Sequence, residues 1–175
     1  EVCEQIFAGG DKPKVNFSKE KNKDNTIPIY ANAVKNKGLY GYTNEARVLK
    51  PALTIAGRGS GTGHTELRKE PFLPIVRLIV CIPDEKITGI EFLKYSIDNL
   101  ILTISGSAIP QLTIPMIKTY KINLPSKKQQ EIIINELEAL NNKLFAIKQK
   151  YQQKLNSLEE LKQSILEEAF CGELV

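Results

Sequence analysis

The sequence is poor in the residues that build metal, redox and nucleotide-hydrolysing centres. It has one histidine, His64, and three cysteines, Cys3, Cys81 and Cys171, far apart and odd in number. No C-x-x-C pair exists, and a single histidine does not complete a zinc site with scattered thiols. Buried or half-buried free thiols in a reducing compartment are the expectation, which points to the cytoplasm. No apolar run approaches the roughly 20 residues of a membrane span. No signal-peptide pattern opens the chain, although Glu1 is not a natural start. No Gly-Lys-Ser/Thr follows the glycine-rich run at residues 57–63, so that run is not a P-loop. No Asn-Pro-Pro-aromatic or Asp-Pro-Pro-aromatic tetrad is present to hold a flipped adenine, and no acidic residue ends the strand before those glycines. His64 has no serine, cysteine and carboxylate set at a recognisable spacing, and no paired carboxylates carry a nuclease signature. No metal site is expected, and catalysis is expected to belong to another polypeptide.

What remains is globular and mildly basic. Of 175 residues, 42% are apolar and 25% charged, enough for a core without a disorder signature. The net charge of +4 is unevenly placed. Residues 1–70 hold twelve Lys/Arg against eight Asp/Glu, residues 71–126 five against four, and residues 127–170 seven against seven. A basic front beside a charge-balanced rear fits a polyanion partner, or else a solvated lysine-rich surface.

The front reads as short strands and turns. Residues 8–13 form a turn cluster around Gly9-Gly10, and residues 19–25 a polar loop. Ile27-Pro28-Ile29-Tyr30 reads as a strand near an edge, because its proline cannot donate to a ladder. Gly38 to Tyr42 is a turn and strand carrying Tyr40 and Tyr42. Residues 52–56 read as a buried strand, and Phe72 to Cys81 as another. Thr88 and Glu91 have capping-box form ahead of a short helix to about Leu100, with Phe92, Leu93 and Ile97 facing the core. Lys118 to Leu124 alternates as a last strand. Ser126 and Gln129 form a second capping box, and Gly172 stands where a glycine should end the helix. From Lys127 to Phe170 such a helix is ~66 Å long.

That helix carries a seam. Leu137, Leu140, Leu144, Ile147, Tyr151, Leu155, Leu158, Leu161 and Ile165 recur with a mean step of 3.5, the coiled-coil period. A helix cannot hide such a stripe against itself, so helix–helix packing is expected. The fold class expected is α+β: a small, mixed or antiparallel β-rich domain over residues 1–125, then one long coiled-coil helix over 126–175.

These elements, in this order, resemble one target-recognition repeat of the DNA specificity subunit of type I restriction-modification systems. The likeness rests on four stretches: the Gly9-Gly10 turn with its lysine-rich loop; Leu53-Thr54-Ile55-Ala56-Gly57-Arg58-Gly59-Ser60; Gly106-Ser107-Ala108-Ile109-Pro110-Gln111-Leu112 with Ile122-Asn123-Leu124-Pro125 and Gln129-Gln130-Glu131; and Leu161 to Leu174. Family members normally carry two repeats whose long helices pack antiparallel as a spacer. Only one is present here, so the chain is a half-length subunit or a fragment.

The resemblance implies sequence-specific binding of double-stranded DNA by a non-catalytic subunit. It also implies docking to a methyltransferase subunit, which uses S-adenosylmethionine, and to a restriction subunit, which uses ATP. No cofactor is expected on this chain. Arg58 is placed to meet a guanine edge or phosphate, or else closes an internal salt bridge. Ser60 and Thr62 bond phosphates or bases, or simply form turns. Lys12, Lys14, Lys19, Lys21 and Lys23 are a phosphate-contact set or a solvated loop. Lys35, Lys37, Arg47 and Arg68 extend the basic face. Tyr40 and Tyr42 point to one face, toward the core or a groove, and His64 touches DNA or solvent. Two-fold antiparallel pairing of the arm would give a homodimer that reads an interrupted palindrome, with half-sites less than about 19 base pairs apart. The alternatives are a recognition module of a single-chain restriction-methyltransferase enzyme, or a coiled-coil adaptor that binds no DNA.

Overall fold

The computed structural model describes residues 1–59, 61–104 and 111–171. The chain forms two compact units, Glu1–Glu131 and Ile132–Val175. Among the described residues, the first unit is built on two four-stranded sheets. One contains β1 (Cys3–Ala8), β5 (Ala52–Ile55), β6 (Thr65–Arg68) and β8 (Ile79–Pro83), in the order β1-β8-β5-β6, with every neighbouring pair antiparallel. The other contains β2 (Phe17–Ser18), β3 (Ile27–Tyr30), β4 (Leu39–Thr43) and β7 (Leu73–Pro74), in the order β2-β4-β3-β7, with only β3 and β7 parallel.

Mainly apolar sequence, broken only by Thr54, puts β5 and β8 at the centre of the first sheet, where both are buried along their whole length. The helix α1 (Ile90–Ile104) packs on this sheet. Its Leu93 and Ile97 join Leu53, Ile55, Ile79 and Cys81 in one core cluster. Phe92 is buried as well, so the three expected core residues of this helix all face inward. The helix α2 (Ile114–Thr119) adds Ile117, and the Thr113 side chain caps it by accepting from the Met116 N–H. A second cluster joins Val48, Phe72, Val80 and Ile82.

Four local expectations need correction, and the expectation of a strand near an edge at residues 27–30 is met. The run from Phe72 to Cys81 is not one strand: β7 pairs in one sheet and β8 in the other, and the chain changes sheets at Val76 and Arg77, which hold φ of 51° and 57°. Residues 118–124 are not a strand either. Pro115 in the first turn and the Thr113 cap start a helix upstream, and an irregular segment follows it. Thr88 does not cap α1. It is fully buried, and its Oγ1 donates to Gln130 Oε1 at 2.9 Å, while the helix begins at Ile90 and runs beyond Leu100. The proline-bearing β3 is flanked on both sides, but β7 pairs only with Ile29 and Tyr30, which leaves Pro28 outside the ladder on that side. The thiols also differ: Cys81 is buried and Cys3 half-buried, but Cys171 is exposed. A hydrogen bond with Cys3 and burial both push the Cys81 thiol up.

The helix α3 (Lys127–Cys171) is 45 residues long and realises its expected cap: Ser126 N–H donates to Gln129 Oε1 at 3.1 Å, and Gln129 N–H donates to Ser126 Oγ at 3.4 Å. Its first turn belongs to the globular unit because Gln130 is buried there. Gln130 Nε2 donates to the Ile87 and Pro125 carbonyls at 3.1 and 3.0 Å. Gln130→Ala strands the buried Thr88 hydroxyl and two half-buried carbonyls and is expected to cost about 1–3 kcal/mol, whereas the exposed Gln129→Ala costs about 1 kcal/mol or less. Urea denaturation of both variants measures the difference.

In the second unit the seam is uncovered. Leu140, Leu144, Ile147, Tyr151, Leu155, Leu158, Leu161 and Ile165 are between 48% and 65% exposed, and only Leu137 is half-buried. The Gly172 expected to end the helix lies outside the described residues.

Candidate nucleic-acid interface

Strand register gathers four loops at one end of the first unit. β1 ends at Ala8, opposite Ile79, and β5 ends at Ile55, also opposite Ile79. β6 starts at Thr65, opposite Ile55. β3 ends at Tyr30, whose carbonyl accepts from the Ile75 N–H at 2.8 Å. The loops that leave these strands, at residues 9–16, 31–38, 56–64 and 75–78, therefore share an end.

Two of them are bound to each other by Asn32. Its Oδ1 accepts from the Gly57 and Arg58 N–H groups at 2.7 and 3.3 Å, and its Nδ2 donates to the Arg58 carbonyl at 2.7 Å. A side-chain amide has both donors and acceptors, so one residue can grip a strand end much as a neighbouring strand would. Val34 packs onto Gly61, where an added Cβ would lie 2.2 Å from Val34 Cγ2. The glycine loop also closes on itself: Thr62 Oγ1 donates to the Gly59 carbonyl at 2.7 Å, and Gly63 N–H to the Ala56 carbonyl at 2.8 Å. Gly59 and Gly63 hold φ of 88° and 90°, which glycine adopts without strain.

The other loop is strained and held from below. Asn36, Lys37 and Gly38 all hold positive φ, at 51°, 53° and 78°. The Arg68 guanidinium reaches this turn from β6. Its Nη2 donates to the Lys37 carbonyl and its Nε to Thr54 Oγ1 at 3.2 Å, while its central carbon lies 3.5 Å from the Tyr30 ring centroid. Burial lowers the Arg68 pKa from its ordinary value. Arg68 was expected on the basic face, and that expectation is corrected. The side chain is 6% exposed and acts as an internal strut for the turn that presents Lys35 and Lys37.

The expected site residues divide accordingly. Lys35, Lys37, Arg58, Thr62 and His64 come together on the two bound loops. Arg58 is exposed and has no ion pair among the described residues, so the internal salt bridge is not formed. His64 is half-buried, with Nε2 3.1 Å from Glu66 Oε1. Ser60 lies outside the described residues, as does the 106–110 stretch. Lys12 and Lys14 are exposed on the loop after Gly10, and Arg47 lies beside Gly10 with its guanidinium 4.9 Å from the Phe7 ring. Lys19 lies 4.3 Å from the Tyr40 ring centroid, and Tyr40 packs on Phe17 at 5.5 Å. Tyr40 and Tyr42 are both half-buried. Lys21 and Lys23 stand on a different, exposed loop shaped by the Asn22 side chain, which accepts from the Asp24 and Asn25 N–H groups. Among the described residues no three His, Cys, Asp or Glu side chains are grouped as metal ligands, and no helix is long and apolar enough to cross a membrane.

Sequence reasoning missed Asn32, the residue that joins the site. An asparagine after a strand signals a turn, but nothing local marks partners 25 and 26 residues away. Asn32→Ala removes all three bonds and is expected to cost about 1–3 kcal/mol and to separate the loops. Denaturant unfolding reads the first effect, and faster amide exchange at Gly57 and Arg58 reads the second.

A family model described as the type I restriction modification DNA specificity domain matches residues 1–157. A Mycoplasma pneumoniae protein named as a type I specificity subunit, S.MpnORF89P, is 35% identical over 140 residues, a match that covers 80% of this chain and 41% of that protein. A chain from a structure of type I R-M system assembly and conformational transition superposes with a TM-score of 0.81 at 19% identity, over 97% of this chain and 43% of the other. The HsdS subunit from Thermoanaerobacter tengcongensis gives 0.70 at 20% identity, over 99% and 44%. At those identities the two structures establish the fold, an α+β domain with a long C-terminal helix. The chain spans less than half the length of each of these three relatives. With its family match running through nearly the whole sequence, the chain belongs to the type I restriction-modification DNA specificity domain family.

Proposed function

We propose that this chain reads a specific sequence in double-stranded DNA for a type I restriction-modification complex. Residues 1–125 form the recognition domain, and residues 126–175 the spacer and docking arm. The observation that carries the reading is the Asn32 junction, because it brings Lys35, Lys37 and Arg58, cations distant in sequence, to one exposed edge of the fold. Lysines there supply phosphate attraction, and the Arg58 fork supplies base or phosphate pairing. The chain directs methylation and cleavage by partner subunits, carries neither reaction itself, and works in the cytoplasm.

The arm pairs with a second copy. Its exposed leucine seam favours an antiparallel two-fold, which would rebuild the two-repeat architecture from two chains. Two identical recognition domains then read an interrupted palindrome. Mapping of methylated bases in the host genome with and without this gene tests the reading. A lost motif made of two inverted half-sites is the expected result. An unchanged methylation map overturns DNA recognition, and a lost motif without inverted symmetry overturns the pairing.

A further inference from the structure

The turn at residues 75–78 has a conformation that its own residues resist. Leu78 N–H donates to the Ile75 carbonyl at 3.2 Å, and the two central residues, Val76 and Arg77, hold φ of 51° and 57°. Two successive positive φ values suit Asn-Gly or Gly-Gly. A β-branched valine there is an outlier, because its Cγ atoms crowd the carbonyls. Burial does not account for the valine, since Val76 is 55% exposed. Arg77 is exposed too and has no ion pair among the described residues. Among the described residues neither side chain is buried in the core or ion-paired.

The turn is nonetheless held firmly. Val76 N–H donates to the Gly10 carbonyl at 2.8 Å, Arg77 N–H to the Gly9 carbonyl at 3.3 Å, and Gly9 N–H to the Leu78 carbonyl at 2.8 Å. A Cβ on Gly9 would stand 2.7 Å from the Pro74 carbonyl carbon, so only glycine allows this approach. The Gly9-Gly10 pair, a plain turn signal in the sequence, is thus the seat of a second turn. Register puts that turn at the same end as Arg58: Ile79, which follows it, pairs with Ile55, and a Cβ on Gly57 would lie 3.2 Å from Ile79 Cδ1.

We propose that the Val76–Arg77 turn is a base-reading element in which Arg77 pairs with a base edge and Val76 packs against a thymine methyl. The proposal rests on the DNA-recognition reading above. Strain kept at an exposed position and clamped by neighbouring backbone is a way to aim a side chain in advance. Guanidinium and methyl groups match what a duplex displays in its major groove. A phosphate contact would need neither the strain nor the valine.

The test selects 40-base-pair duplexes from a random pool with the full-length protein, followed by affinity and melting measurements. Wild type is expected to enrich a motif. Arg77→Ala is expected to bind that motif about 10- to 100-fold more weakly and to lose preference at one base pair. Arg77→Lys is expected to lose the same preference, because a point charge does not reproduce the fork. Val76→Gly is expected to melt no lower than wild type and still bind more weakly. Arg77→Ala or Arg77→Lys enriching the wild-type motif at wild-type affinity overturns the proposal, as does a Val76→Gly variant that melts lower. A wild type that enriches no sequence overturns the DNA reading itself, a result distinct from a variant that matches a functional wild type.

Discussion

Leu144→Glu with Leu155→Glu is expected to convert a paired chain to a monomer while leaving the globular unit folded. Both leucines are exposed in the single chain, at 50% and 55%, so neither substitution opens a cavity there. Glutamate is nearly as good a helix former as leucine, so the arm keeps its backbone preference. In a two-fold pair, however, four leucines leave the seam together. At about 2 kcal/mol of burial each, before any carboxylate is desolvated, the loss is about 8 kcal/mol, or on the order of 10⁵-fold or more in the dimer constant. Sedimentation velocity at micromolar concentration should show dimer for wild type and monomer for the variant, with the thermal melt of residues 1–131 unmoved. A monomeric wild type would remove the homodimer from the reading.

Direction of pairing is testable with a residue already present. Cys171 is exposed at the last described position of α3. An antiparallel pair holds the two Cys171 thiols roughly a helix length apart, on the order of 60 Å, far beyond disulfide reach. Mild oxidation should therefore give no interchain disulfide through Cys171, whereas a parallel pair would form one.

Arg58→Glu is expected to produce the largest loss of duplex binding among single changes, about 100-fold or more. A bidentate contact alone is worth about 1–3 kcal/mol, and charge reversal adds repulsion from the phosphates. Arg58 has no ion pair to lose among the described residues, so the substitution should leave the melting temperature within about 2 °C of wild type. Binding should also fall steeply with salt. If Lys12, Lys14, Lys35, Lys37 and Arg58 meet phosphates in any combination of three or more, the slope of log K on log salt is about −3 or steeper. Fluorescence anisotropy across a salt series reads both. An Arg58→Glu protein that binds duplex as wild type does would move the interface elsewhere.

The contrast between Arg58 and Arg68 shows how far the chain reads without its fold. Both are arginines of the basic front, one in a glycine-rich loop and one closing a strand. Their sequence neighbourhoods give no reason to separate them. The fold separates them: Arg68 lies under Tyr30 and the Lys37 turn, and Arg58 stands in the open. The same holds for Thr88 and Gln130. Each has a plausible local role, as a cap and as a solvent-facing helix residue, yet they are buried against each other across 42 positions.

Local and periodic features were legible in the amino-acid order. The mainly apolar β5 and β8 marked the central strands, the placing of Phe92, Leu93 and Ile97 within one helical face marked the buried side of α1, and Ser126 with Gln129 marked the start of α3. The seam's 3.5-residue step marked the stripe that α3 leaves exposed. These follow from backbone geometry and apolar burial, which act over a few residues. The switch of sheets at Val76–Arg77, the joining of two loops by Asn32 and the burial of Arg68 were decided only by tertiary structure. Each depends on which distant backbone groups lie within hydrogen-bonding reach, and that is fixed by sheet register rather than by neighbours in the chain.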